Sequence, residues 1–269
     1  MTKQQGIGAL ACAVLGAVVV QIFAPASGVI AIVSGFFLVV GGTLLTAIMS
    51  HSSQSVLGLW TLILESRRSP AENGGDEESL NRFFQAANFF RRGDIRPAEA
   101  VAQLITDPVL RRGTQLVLDR FPREQINLAL QRHIAEERDQ LRQPVEILRA
   151  MSNYAPAFGM LGTLLGLVQM LFGLGAGNLS SMGSAMGFAM LTTVYGLVLA
   201  NLLFKPLASQ LEQRGRRLIG RRVAHLQAIM MLCDRQHTEL IREMLDEINT
   251  IHGMQQMTLQ LQLARTQAR

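Results

Sequence analysis

Acidic and basic side chains are missing from two long stretches of the chain. No Asp, Glu, Lys or Arg falls between Lys3 and Glu65, and none falls between Arg149 and Lys205. Each gap has room for two helices of about 20 residues, the length that crosses a bilayer's hydrocarbon core. The breaks inside the gaps, "FAPASG" at 23–28 and "GLGAGNLSS" at 173–181, have turn composition. Four membrane-spanning helices are therefore expected, over 6–24, 28–49, 153–174 and 184–204. Cysteine is scarce as well. Cys12 falls in the first expected span and Cys233 in the tail. Their separation and a reducing cytosol argue against a disulfide, and they offer no metal-ligand spacing. Nor does the sequence hold a nucleophile–base constellation, a metal cluster or a phosphate loop, so neither an enzyme nor a cofactor is expected. The absence with most consequence is inside the spans. Proton and ion pathways normally carry an ionisable group within the membrane, and the four spans hold no carboxylate and no basic side chain. If the chain does ion-driven work, another chain must supply the carboxylate.

The charges that are present orient the chain. The short loops near 25 and 177 carry no Lys or Arg, whereas Arg67, Arg68, Arg142 and Arg149 flank the spans from the 50–150 segment. Lys205, Arg214, Arg216, Arg217, Arg221 and Arg222 open the tail. By the positive-inside rule both termini and the 50–150 segment are cytoplasmic. Lys3, an apolar run and "APA" at 24–26 imitate a secretory signal, but a second apolar span follows at once, and retention as a first transmembrane helix is expected. The net charge of +5 is carried by the N-terminus and the tail, and the 50–150 segment is balanced. That balance argues against a nucleic-acid surface. The basic start of the tail suits topology and lipid headgroups.

The cytoplasmic parts read as helical. "SRRSPAENGGDEES" (66–79) is a polar loop. Leu80, Phe83, Phe84, Ala87 and Phe90 fall at helical spacing within 77–93, with Gly93 as a stop. Short helices follow at 96–105, with Pro97 in its first turn, and at 108–121. A long charged helix from Pro122 leads into the third span, with Pro144 placed to kink it. The tail resumes as a helix from Pro206 to about 250, and the Gln-rich 253–269 is expected to be poorly ordered. The fold class is thus an all-α membrane protein. Its parts are helices 1 and 2 (1–49), a cytoplasmic helical domain (50–152), helices 3 and 4 (153–204), and a cytoplasmic helix and tail (205–269).

The last two spans are rich in small and hydroxylated residues. Gly162 and Gly166 form a GxxxG pair, and Pro156, Gly159, Thr163 and Gly166 fall near one face. On the fourth span Ala185, Ala189, Thr192, Gly196 and Ala200 form a stripe at helical spacing. Such stripes let helices pack closely in lipid. Thr163, Thr192 and Thr193 could instead line an ion path, although a membrane threonine often only bonds its own backbone.

"APAFGMLGTLLGLVQML" and "AMLTTVYGLVLANLLFKPLA", with "VVGGT" (39–43) and "FRRG" (90–93), resemble the MotA/PomA flagellar stator family of the MotA/TolQ/ExbB superfamily. The likeness spans nearly the whole chain and is most specific over 154–206. It implies a homopentamer around two copies of a single-span MotB/PomB-type partner in the bacterial inner membrane. That partner carries the missing membrane aspartate and grips peptidoglycan. Flow of Na+ or H+ then turns the pentamer, and cytoplasmic charges push the rotor's switch complex. The small-residue faces would let a neighbouring helix slide past. Residue by residue, Pro156 and Pro206 match the family's two functional prolines. Thr163 and Thr193 match positions facing the partner's aspartate, with Thr192 beside them. Arg91 and Arg92 match the rotor-facing basic pair, and Glu99 matches an acidic rotor-facing position. Glu99 is followed here by Ala100, Val101 and Ala102 rather than by further carboxylates. The paired hydroxyls incline the expectation to Na+, which needs oxygen ligands in place of lost water. Two alternatives stay open: a TolQ/ExbB-type proton channel subunit energising an envelope process, and a non-conducting membrane scaffold.

Overall fold

The computed structural model describes residues 28–50, 72–175 and 179–247. The expected first span at 6–24, with Cys12, and the Gln-rich end at 253–269 lie outside them. Among the described residues every regular element is helical. In chain order they are α1 (Gly28–Ser50), α2 (Glu72–Arg92), α3 (Ile95–Gln103), α4 (Pro108–Leu118), α5 (Arg123–Gly175) and α6 (Leu179–Val198). A π-helical turn (Leu199–Phe204) joins α6 to α7 (Lys205–Cys233), and α8 covers 238–247.

Three stretches among the described residues are long and apolar enough to cross a membrane: α1, the apolar part of α5, and α6 with its continuation. Their surfaces fit that environment. Leu164 is 62% exposed, Phe172 69% and Leu202 74%. Contiguous apolar surface of this kind is not sustained against water.

Several helix ends follow directly from sequence. Gly93 sits at φ +90 after α2, and the Gly93 and Asp94 N–H groups bond back to Phe90 O (3.1 Å) and Phe89 O (3.0 Å). That is the left-handed cap that glycine adopts without strain. Pro108 opens α4 behind Asp107, whose carboxylate accepts from the Val109 and Leu110 N–H groups at 3.0 and 2.9 Å.

Other expectations are corrected. The segment 66–79 is not a loop throughout, because α2 begins at Glu72 and runs through the Gly74–Gly75 pair. The long helix expected from Pro122 into the third span is not among these: it is the 53-residue α5, with Pro144 and Pro156 both inside it. The tail helix does not reach 250 unbroken. It stops at Cys233, Arg235 takes φ 54, and the chain restarts as α8.

The chain forms two compact units. The first contains the described parts of Met1–Arg68 and Gln140–Arg214, and the second those of Ser69–Asp139 and Gly215–Arg269. This cuts the chain differently from a division at 49, 152 and 204. The boundaries fall inside α5 and α7, and the later part of α7 belongs with α2, α3 and α4. The core of the second unit includes Phe83, Leu110, Ile126, Leu130, Ile229 and Ile241, each at most 1% exposed. Burying such a side chain contributes about 1.5–3 kcal/mol. Gly113 of α4 is needed there, since a Cβ would fall 2.2 Å from Ile229 Cδ1.

Candidate functional site

In the first unit, α5 and α6 meet backbone to backbone. The glycines of α5 recur at helical spacing, so they share one face. A Cβ on Gly166 would lie 2.9 Å from Ala185 O and 2.7 Å from Ala189 Cβ. One on Gly162 would lie 2.5 Å from Thr192 Oγ1, and one on Gly159 would lie 3.0 Å from Thr192 O. A Cβ on Gly196 would lie 2.6 Å from Ala155 O. Numbers fall along one helix as they rise along the other, so the pair is antiparallel. The two stripes therefore face each other inside one chain. They are not free faces along which a helix of a second chain could slide, because each already fills the other's groove. Ala200, in the turn after α6, continues the stripe into a core with Ala47, Leu148, Met151, Ala155 and Phe204.

The three threonines separate. Thr192 is 0% exposed, covered by Gly162 and by Gly35 of α1, where a Cβ would come 3.0 Å from Thr192 Cγ2. Its hydroxyl donates to Ala189 O at 2.9 Å. It is a packing residue at a three-helix junction, and the geometry sets it apart from Thr163 and Thr193. Those two are half-buried. Thr163 Oγ1 donates to Met160 O at 2.6 Å, and Thr193 Oγ1 donates to Ala189 O at 3.3 Å. A hydroxyl that has spent its proton on a backbone carbonyl keeps its lone pairs for another ligand. Each can therefore offer an oxygen to a cation.

Pro156 lies inside continuous α-helix, whereas Pro206 follows an irregular turn. Pro156 has no N–H for Ser152 O, and it directly follows the Ala155 carbonyl that meets Gly196. Pro206, exposed in the first turn of α7, is preceded by the π turn, in which the Lys205 N–H reaches back to Ala200 O. A proline ring clashes with the carbonyl four residues earlier in an α-helix, and a widened turn relieves that clash. Asn201 Nδ2 donates to Leu197 O at 3.0 Å, and Lys205 Nζ donates to Asn201 Oδ1 at 2.7 Å. Sequence reading placed Pro206 just beyond a span but gave no sign of the π turn.

In the second unit, Arg91 and Arg92 occupy the exposed last turn of α2, where positive charge suits the helix dipole, and Glu99 is exposed on α3. Arg91 Nη2 lies 3.1 Å from His237 Nδ1. Sequence reasoning missed a buried charged group in the same unit. The Arg222 guanidinium pairs with Asp107 and bidentately with Glu137, at 3.0 Å from Nε to Oε2 and 3.2 Å from Nη2 to Oε1. His225 Nδ1 stands 3.4 Å from Asp107 Oδ2, too long for a good hydrogen bond. Burial alone would raise the Asp107 carboxyl; the His225 contact, the Leu110 N–H and the Arg222 guanidinium outweigh it and hold it below the ordinary range. Only the Asp107–Pro108 helix start was a usable signal for this group. No group of three or more potential metal-ligating side chains occurs among the described residues.

Comparison with known proteins gives a consistent set of likenesses. Residues 101–224 match the model of the MotA/TolQ/ExbB proton channel family. The protein YtxD of Bacillus subtilis is 30% identical over 181 residues, 67% of this chain and 65% of that one, so the match spans just under two thirds of that relative. The chemotaxis protein PomA of Vibrio alginolyticus is 28% identical over 78% of this chain and 80% of its own length. Among solved structures, C. jejuni MotAB has the same fold, with a TM-score of 0.70 at 19% identity, covering 92% of this chain and 96% of that one.

Proposed function

We propose that the chain is a member of the MotA/PomA family within the MotA/TolQ/ExbB superfamily, and an ion-conducting stator subunit of a bacterial flagellar motor. It sits in the inner membrane with both termini in the cytoplasm. Five copies surround two copies of a single-span MotB-type partner, whose carboxylate completes the ion path. The observation that carries this reading is the α5–α6 pair. Thr163 and Thr193 present half-buried hydroxyls beside a backbone-close contact, and neither span has a carboxylate of its own. A path built this way needs a second chain for its titrating group.

Pro156 and Pro206 act as coupling points: each removes a backbone N–H at one end of the pair, and Pro206 follows the π turn. Arg91, Arg92 and Glu99 meet the rotor, where exposed charges steer and grip a partner. Na+ is the ion we assign. Two hydroxyl oxygens suit a cation that must replace its hydration shell, whereas a proton needs only the carboxylate.

Deletion tests the function: cells should assemble flagella and fail to swim. Swimming that persists without this chain, in a strain with no second stator, overturns it. For the ion, Thr163→Ala and Thr193→Ala should abolish motility at low sodium, with partial recovery at high sodium. Unchanged speed of the wild-type motor in sodium-free medium, stopped by a protonophore, would assign protons instead.

A further inference from the structure

Arginine 91 is exposed, yet it is anchored from another element. The chain reverses at Arg235 and lays the following residues along α2 in antiparallel order. Arg235 stacks over the Phe90 ring with 5.9 Å from Cζ to centroid, and Arg242 stacks over Phe84 at 4.8 Å. Thr238 Oγ1 donates to Asn88 Oδ1 at 2.9 Å. Within this row of contacts, Arg91 Nη2 meets His237 Nδ1 at 3.1 Å. Arginine can only donate, so Nδ1 is the acceptor in this hydrogen bond. One guanidinium N–H is thereby fixed while the other four stay available to an acidic surface. Arg92 has no such anchor among the described residues.

We infer that His237 is a positioning residue: it aims the Arg91 guanidinium at the rotor, so that the charge is already ordered when the partner arrives. A free arginine loses rotamer entropy on binding, and an acceptor supplied in advance removes part of that loss. The inference rests on the proposed rotor contact of Arg91, and it assigns the tail segment 235–242 a part in force transmission.

The test uses the full chain with its partner, in motile cells, scored as rotation under load, with membrane accumulation measured alongside. Four variants are compared: Arg91→Ala, His237→Leu, His237→Asn, and Arg91→Ala combined with His237→Leu. Asparagine keeps an acceptor near the Nδ1 position, and leucine keeps bulk without one. His237→Leu should slow loaded rotation by about twofold or more, the scale expected when one pinned side chain is released. His237→Asn should rotate close to wild type, and the double variant should be no worse than Arg91→Ala. If Arg91→Ala alone rotates normally, the rotor-contact reading falls and the inference falls with it. If Arg91→Ala is impaired and His237→Leu is not, the contact stands and the positioning role is overturned. Equal impairment by leucine and asparagine, or an added loss in the double variant, would make His237 a structural residue only.

Discussion

Gly196 and Gly187 sit on one continuous run of helix and differ sharply in what they tolerate. A Cβ at Gly196 meets the Ala155 carbonyl oxygen at 2.6 Å, whereas one at Gly187 meets nothing within 4 Å. Backbone cannot rotate away as a side chain can. Gly196→Ala should therefore destabilise the purified protein in detergent by about 1–3 kcal/mol, as overpacked sites do. Gly187→Ala should hold or raise the thermal midpoint, gaining about 0.5–1 kcal/mol of helix propensity. Arg222 makes the opposite kind of contact, a buried charge with two carboxylates. Arg222→Met leaves Asp107 and Glu137 uncompensated and should cost about 3–5 kcal/mol in the same assay. Its pH dependence has a definite sign. The Asp107 carboxyl is depressed in the fold, so its contribution is fully present above the ordinary aspartate value. It is lost as pH falls through the lower folded value. Asp107→Asn should lower stability at neutral pH and flatten the decline on acidification. A variant with the same acid slope as wild type would assign that slope to other groups.

At the level of elements, the helix ends divide into those written in the sequence and those that are not. Gly93 and the Asp107–Pro108 pair mark their boundaries by residue type, because glycine tolerates a positive φ and proline suits a first turn. The ends at Arg120 and Arg235 use the same left-handed cap, at φ 56 and 54, without glycine or asparagine. Propensity rules are silent there, and tertiary contacts such as Arg235 on Phe90 hold the turn instead. The expected second span at 28–49 agrees with α1 to within a residue, since an apolar run bounded by polar residues has little alternative. The run of α5 from the charged segment into the third span was legible too, and the helix continues through both Pro144 and Pro156. The π turn belongs with Pro206, and this can be tested. Pro206→Ala restores an N–H and removes the ring clash, so the thermal midpoint should stay level or rise. If the turn serves coupling, motility should be lost all the same. A Pro206→Ala strain that swims at wild-type speed would reduce the turn to a local accommodation.

For the whole molecule, the small-residue stripes carry a different weight than their sequence pattern suggested. Their composition pointed to close helix packing, which α5 and α6 supply to each other; the sliding surface implied by the family resemblance is thereby already occupied. Periodicity shows that a face is flat; it does not say which helix covers it. In the proposed ring, contacts between copies fall to the large apolar residues that remain exposed, such as Met160, Met190 and Val194. The purified complex should have a mass corresponding to five copies of this chain with two of the single-span partner. A monomer or a one-to-one pair would remove the proposed ring. The candidate charges Arg91, Arg92 and Glu99 were named from the family resemblance, and all three are exposed. The tail's hold on Arg91 was not, because it joins residues more than a hundred positions apart.

The α5–α6 contact also bears on how this sequence can change over generations. Glycine is the smallest residue, so every exchange at Gly159, Gly162, Gly166 or Gly196 adds atoms where backbone or side chains already stand within about 3 Å. Drift at these positions has only one direction, and that direction is blocked. Leu164 and Leu171, on the exposed faces of the same helix, can pass among isoleucine, valine, methionine and phenylalanine at little cost. Descendants of this chain should therefore diverge along their outward faces while the inner line of glycines stays fixed. Escape from that line requires a paired change, one residue shrinking as its opposite grows, and against a backbone carbonyl no such partner exists.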